Sequence, residues 1–320
     1  MKIVRILATL IVTLGASAAL AQGYPSKPVR VIVPFTPGSG QDIFARVVCQ
    51  KLSELWGQQA LVENRPGAGG SIASGVVAKS PPDGHTLLWH STAFATNAAL
   101  YANLPYDSLR DFAPIAPLLR QPFALVVSPA VGVGTVAELV AAAKARPGQI
   151  NYGSAGTGSG THFAAEKFRL ATGIDAVHVP YKGGPEVNTD VIAGRVTYWF
   201  APIVMAAPGV RDGKLRALGV TSGQRSGHLP DVPTIAEAGL PGFDYSLWSG
   251  LWAPAGTPVD LVEKLSRDVA RALAAPDLRE QLGKLGGEPM AMTPAQFAEF
   301  VRREIEDSTR IVKAAGIRAQ

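Results

Sequence analysis

Residues 151–162, NYGSAGTGSGTH, carry four glycines and five Ser, Thr or His side chains in twelve positions. Such a stretch has to be tested against several chemistries. A dinucleotide-binding turn needs G-x-G-x-x-G, but here Gly156 and Gly158 are followed by Thr161 where the third glycine belongs. A phosphate loop needs Gly-Lys-Ser/Thr, and the sequence has none. A hydrolase nucleophile elbow needs G-x-S-x-G, which Ser71, Ser154, Ser159 and Ser249 all fail. The histidines at 85, 90, 162, 178 and 228 have no zinc-type spacing among themselves or with acids.

What survives is simpler. A strand ends, glycines clear the way, and a helix begins near Ser159 and Thr161. Exposed N–H groups and the positive end of the helix dipole there make a seat for an anion. The plainer reading, serine and threonine capping a closely packed helix, fits this loop equally well. The balance shifts because VPFTPGSGQDIFAR, residues 33–46, repeats the device. In an open α/β sheet ligands bind at the carboxyl ends of strands, so two such ends, one in each half, face a shared cleft. Three or four hydrogen bonds to a carboxylate, at roughly 1.5–3 kcal/mol each, leave about 8 kcal/mol, micromolar binding, after the costs of association.

Two neighbouring residues need separate roles. Asp42 beside an anion seat repels the ligand, so it is expected to stabilise its own helix N-terminus; holding a ligand amino group is the alternative. His162 opens a helix and is expected to cap or brace the loop rather than touch the ligand.

The elements that position these loops are legible. PVRVIVPF (28–35) reads as a buried parallel strand, and DIFARVVCQKLSELWG (42–57) has helical apolar spacing. A strand ALVEN, a turn RPGAGG, a helix from about Ser71 to Ala78 and a strand HTLLWHS follow. A second set runs from FALVVSP through TVAELVAAAKARPG, INYGS, the opening loop and its helix, AVHVPY, GPEVNTDVIAG and VTYWFAP to LRALGVTS. Two capped helices, from Thr257-Pro258 and Thr293-Pro294, close the chain. Repeated β–loop–α units predict an open α/β fold in two halves of about 100 residues each.

The 320 residues are 47% hydrophobic and 17% charged, a globular composition. Residues 1–21 read as a secretory signal peptide: Lys2 and Arg5, an apolar run from Ile6 to Leu14, and Ala19 and Ala21 at the cleavage positions. Cleavage after Ala21 exports the chain. It also removes two of 30 basic residues and none of 25 acids, leaving 28 − 25 = +3. The basic residues are scattered, without a stripe for nucleic acid. The single cysteine, Cys49, falls on a helical pattern as a small buried group.

Along the whole exported chain the motifs YPSKPVRVIVPFTPGSGQDIFAR, LVENRPGAGGSIASGVVAKSPPDGHTLL, YDSLRDFAPIAPL, INYGSAGTGSGTH, HVPYKGG, LPDVPTIAEAGLPGF and APAGTP follow one another. In that order they resemble the Bug family, the TctC-type periplasmic receptors of tripartite tricarboxylate transporters. The resemblance implies a two-lobed, type II-like Venus-flytrap α/β fold, with lobe one formed by residues 22–121 plus 223–320 and lobe two by 122–222. It implies a monomeric, periplasmic, non-enzymatic receptor that needs no cofactor or metal. Such a receptor closes on a small organic acid and docks on a TctA/TctB-type membrane pair. A sensor for a signalling system and, more remotely, a secreted hydrolase are the alternatives.

Carried onto this sequence, the family's ligand loops are Thr36, Gly38, Ser39, Gly40, Gln41 and Asp42; Ser91 and Thr92; Ser154, Thr157, Gly158, Ser159 and Thr161; and Pro180, Tyr181 and Phe200. This chain departs from the family in reading PGSGQD, where Gln41 offers a neutral donor, in carrying His85 where a tyrosine is usual, and in VTYWFAP, where an acid is often found. Alternation along that last strand sends either Trp199 or the Tyr198/Phe200 pair toward the cleft, with core packing as the default. Phe200 in the site would favour an aromatic or apolar acid over citrate.

Overall fold

A computed structural model describes residues 23–317 apart from 182. The signal-peptide reading of residues 1–21 lies outside the described residues.

The first half begins β1 (Val29–Val33), α1 (Gly40–Trp56), β2 (Ala60–Asn64), α2 (Ser71–Ala78), β3 (Thr86–Ser91) and α3 (Ala93–Leu100). β1 pairs in parallel with β2 and β3. Its side chains alternate between two cores: Val31 and Val33 join Leu87, Phe44 and Val48 on one face, while Ile32 joins Leu88, Phe94 and Trp252 on the other. Covering on both faces explains why β1 reads as a continuous apolar run.

The second half holds α4 (Val136–Ala145), β5 (Ile150–Ser154), α5 (Gly160–Thr172), β6 (Ala176–Pro180), α6 (Gly184–Ile192), β7 (Tyr198–Pro202), α7 (Ile203–Arg211) and β8 (Arg216–Val220). The same alternation recurs there, with Tyr198 and Phe200 on the α5 side and Trp199 and Ala201 on the side of α6 and α7.

Two strands join the halves. β4 (Phe112–Val127) pairs over residues 112–122 with β9 (Ser246–Pro254), and over 123–127 with β7 and β8. Pro114, Pro117 and Pro122 interrupt its sequence, and the register against β9 shifts at Pro114/Ala116 and Pro117/Leu119. Irregularities of that kind let a strand carry residues that donate no N–H. The rest of the chain, α8 (Val259–Ala274), α9 (Pro276–Lys284), β10 (Glu288–Pro289) and α10 (Pro294–Ala315), packs on the first half; α10 also reaches α5. α10 starts at the expected Thr293 cap, which Gln296 completes as a capping box, whereas Thr257 does not cap α8: its hydroxyl donates to the Pro254 carbonyl.

One boundary differs from the sequence expectation. The expected division puts residues after 222 in lobe one, yet Leu229, Ile235 and Phe243 pack into the two cores of the second half. We therefore place the return crossing at Ser246, where β9 takes up its pairing with β4. The intervening SGQRSGHLPDVPTIAEAGLPGF lacks helical or strand periodicity, so nothing local shows which core its apolar residues fill.

Candidate functional site

The start of α1 is built by its own side chains. Ser39 is the N-cap, with φ −67° and ψ 158°, and its Oγ accepts the Asp42 N–H at 3.3 Å. The Gly38 N–H, at φ 80°, donates to Asp42 Oδ2 at 2.8 Å, and the Thr36 carbonyl accepts the Ser39 N–H. The N–H groups of Gly40 and Gln41 have no partner among the described residues.

The start of α5 repeats the pattern. Ser159 is the N-cap at φ −70° and ψ 159°, and its Oγ accepts the His162 N–H at 3.3 Å. The Gly158 N–H, at φ 82°, donates to His162 Nδ1 at 3.1 Å. The Thr161 hydroxyl accepts the Ala155 N–H at 2.9 Å. The N–H groups of Gly160 and Thr161 have no partner among the described residues. Each helix thus ends in two open amides beside a serine cap, which is the local chemistry of an anion seat.

Both helix starts rest on the same part of the β4–β9 ribbon. Gln41 Nε2 donates to Gln121 Oε1 at 3.1 Å, and Gln41 Oε1 accepts from Ser249 Oγ at 2.7 Å and Trp89 Nε1 at 3.0 Å. A Cβ on Gly160 would stand 3.2 Å from Leu247 Cδ1 and 3.3 Å from Phe123 Cζ. Gln121 and Phe123 are alternate residues of β4, and Leu247 and Ser249 are alternate residues of β9. Alternate residues share one face of a strand and lie about 6.6 Å apart along it. The two sets of open amides are therefore anchored to one face of the ribbon about one rung apart. Leu100 of α3 also meets the second loop, 3.2 Å from a Cβ built on Gly158.

Asp42 is committed to its own half. Oδ1 accepts from Asn64 Nδ2 at 2.8 Å, and Oδ2 accepts from the Gly38 N–H and from Arg46 Nε at 3.0 Å. Burial pushes its carboxyl up, but these bonds and the Arg46 charge outweigh burial and hold it below the usual carboxylate range. Both oxygens are thus bonded within its own half, as a stabiliser of the helix start requires. His162 is the brace. Its pKa is driven down to about 3 by burial, with the His178 ring and Arg169 adding to the effect, so it stays neutral and Nδ1 remains an acceptor for Gly158.

Other expected ligand residues are engaged inside the protein. Ser154 is fully buried, with Oγ 2.6 Å from His178 Nε2 and bonded to both backbone groups of Gly156. That burial also removes the Ser154–His178 pair as a nucleophile and base. Ser91 and Thr92 are buried joints: Thr92 exchanges two 2.9 Å bonds with the Trp248 backbone, and Ser91 Oγ accepts the Ala93 N–H. Tyr181 donates its N–H to the Ser154 carbonyl and its hydroxyl to Asp190 at 2.6 Å, after the exposed Pro180. Thr157 is half-buried on the loop.

Phe200 does not line the cleft. It is 0% exposed, edge-on to Phe168 at 5.6 Å. Tyr198 and Trp199 are equally buried. Helices cover both faces of β7, so alternation sends its aromatics into one core or the other, and the support for an aromatic acid goes with Phe200. Nothing in the sequence marks Gln121, Trp89 and Ser249 as the residues that hold the first helix start. In the β9 segment SLWSGLWAP no local signal marks Ser249 as the partner of a residue 208 positions away.

Similarities to known proteins bear on this arrangement. A family model described as "TctC: Tripartite tricarboxylate transporter family receptor" matches residues 44–317. Protein BugT of Bordetella pertussis is 36% identical over 322 residues, covering 99% of each chain. The structure of R. palustris Rpa4515 with adipate superposes with a TM-score of 0.80 at 35% identity, over 92% of this chain and 99% of that one. MatC from Rhodopseudomonas palustris with bound malate gives 0.75 at 34% identity, over 90% and 100%.

Proposed function

The chain belongs to the TctC family of tripartite tricarboxylate transporter receptors, and we propose that it captures a small organic acid between the starts of α1 and α5. Members of this family are solute-binding receptors and do no chemistry on what they bind. The observation that carries the reading is the pair of open helix starts: four unpartnered N–H groups, at Gly40, Gln41, Gly160 and Thr161, anchored to one face of the ribbon. With Asp42 tied to Arg46, the charge left to act on a ligand there is the partial positive charge of two helix ends. The Ser39 hydroxyl and Thr157 are the side-chain donors we assign beside them.

Two related structures hold adipate and malate, which supports an aliphatic acid with one or two carboxylates as the ligand class here. The location we assign is the periplasm, and the partner for a loaded receptor a TctA/TctB-type membrane pair. Calorimetric titration of the full chain with adipate, malate and benzoate tests the ligand class. One aliphatic acid should bind at a single site and, at a hundred times its dissociation constant, stabilise the fold by about 2.7 kcal/mol. Saturable binding of a neutral sugar, with none of any acid, would sink it.

A further inference from the structure

Behind the β4–β9 ribbon lies a cavity of about 210 Å³. Arg120, Ser246 and Trp248 line it, and these are the ribbon residues that alternate with Gln121, Leu247 and Ser249. It is therefore on the face away from the helix starts. Its walls come from both halves: Lys167 of α5 and Tyr245 from the second, Trp248 and, on α10, Phe300 and Glu304 from the first.

Of the five acidic and basic side chains that line it, Arg120 pairs with Glu288 and Asp307 with Arg310. Lys167 and Asp244 of the second half and Glu304 of the first make no salt bridge among the described residues. Lys167 Nζ donates to the Asp244 carbonyl at 2.7 Å and lies 5.7 Å from the Tyr245 ring centre, but makes no salt bridge among the described residues. Glu304 Oε2 accepts the Trp248 indole N–H at 2.6 Å, and its carboxyl likewise has no cationic partner among the described residues. The hydroxyls of Tyr245 and Ser246 beside the cavity are buried without a partner. Burial raises the Glu304 carboxyl above its usual range; the Trp248 bond opposes that, Asp307 and Asp244 add to it, and the Lys167 charge works against it. Lys167 and Glu304, a cation and a carboxyl without salt bridges, thus border one hollow from opposite halves without closing on each other, with the Asp244 carboxyl also on its wall.

We propose that this hollow is a second binding site, for a compact zwitterion of amino-acid size, with its carboxylate on Lys167 and its ammonium on Glu304. Trp248, Met290 and Phe300 supply an apolar flank for a short side chain. The volume suits such a guest: 210 Å³ is room for about seven waters at about 30 Å³ each. A simple anion satisfies Lys167 and meets Glu304 as a repulsion; a simple cation does the reverse. Because the guest touches both halves, its binding is coupled to the angle between them.

Calorimetric titration with free L-alanine, acetate and ethylammonium tests this on the full chain and on Lys167→Met, Glu304→Gln and Gly40→Pro variants. Methionine keeps the aliphatic stem over the rings, and glutamine keeps the acceptor for Trp248. L-Alanine should bind at one site, about tenfold or more tighter than either singly charged probe, and lose about tenfold in each cavity variant, the loss expected for one charge-assisted bond. Gly40→Pro, at the front of the molecule, should leave it unchanged. Absence of saturable L-alanine binding, indifference to both cavity substitutions, equal binding of acetate, or loss of binding in Gly40→Pro would each overturn the proposal.

Discussion

The Gln41 side-chain amide donates to Gln121 Oε1 at 3.1 Å, pinning the start of α1 to the strand that carries the chain from one half to the other. Gln41 Oε1 takes the Trp89 and Ser249 donors, so one side chain closes a buried polar knot. The position of the first open amides is thereby tied to the ribbon about which the halves are joined.

Gln41→Leu keeps the bulk and strands the Trp89 N–H, the Ser249 hydroxyl and the Gln121 amide. The first two are donors left without an acceptor and Gln121 Oε1 is an acceptor left without a donor; each such buried group costs about 1–3 kcal/mol. Urea unfolding should show a loss of about 3 kcal/mol or more; a loss under about 1 kcal/mol would mean that water enters and repairs the knot.

Gly40→Pro removes one open amide with little else. Ser39 already has the extended backbone that a following proline requires, position 40 is the first helical residue, and nothing stands within 4 Å of a Cβ there. Affinity for the organic acid that binds the unmodified chain should fall by roughly tenfold or more, the loss expected for one charged hydrogen bond. Stability should change by less than about 1 kcal/mol. Gly40→Ala, which keeps the amide, should bind normally. Equal affinity in the proline variant would remove this amide from the seat.

Gly70→Ala should destabilise the first half. Residue 70 sits at φ 97°, and a Cβ there would lie 2.5 Å from His90 Nε2 and 3.0 Å from Pro34 Cβ. Left-handed strain alone is about 1–2 kcal/mol, and the clash with a fully buried ring adds to it. Thermal unfolding measures the sum, and a melting temperature unchanged from the parent would contradict the packing.

Acid should weaken the fold through two histidines. His90 and His162 are both held down to about 3, chiefly by burial. In the unfolded chain each takes up a proton near pH 6.5, as a model imidazole does, at about 6.5. Between those values the unfolded state binds more protons, so stability falls as pH falls, by up to about 1.4 kcal/mol per unit for each ring. His162→Gln retains an acceptor for the Gly158 N–H and should flatten the slope of unfolding free energy between about pH 6 and 4 by about one proton. An unchanged slope would show that His162 is protonated in the folded protein.

Alternating and helical apolar patterns, cap residues and glycine turns determined the β–loop–α units, both serine-capped helix starts and the family, because each of these is written within a few consecutive residues. Thr293, Ser39 and Ser159 cap as their positions implied. The tertiary structure decided which groups are left for a ligand. Ser154 and Thr92 carry suitable hydroxyls, yet distant partners, His178 and Trp248, have already taken them. Phe200 lies on a strand covered on both faces, so its ring belongs to the core. The proline-broken β4 and β9 form the ribbon that brings the two helix starts to adjoining rungs. Pairing across more than a hundred residues leaves no local trace, because a backbone hydrogen bond is indifferent to the side chains that flank it.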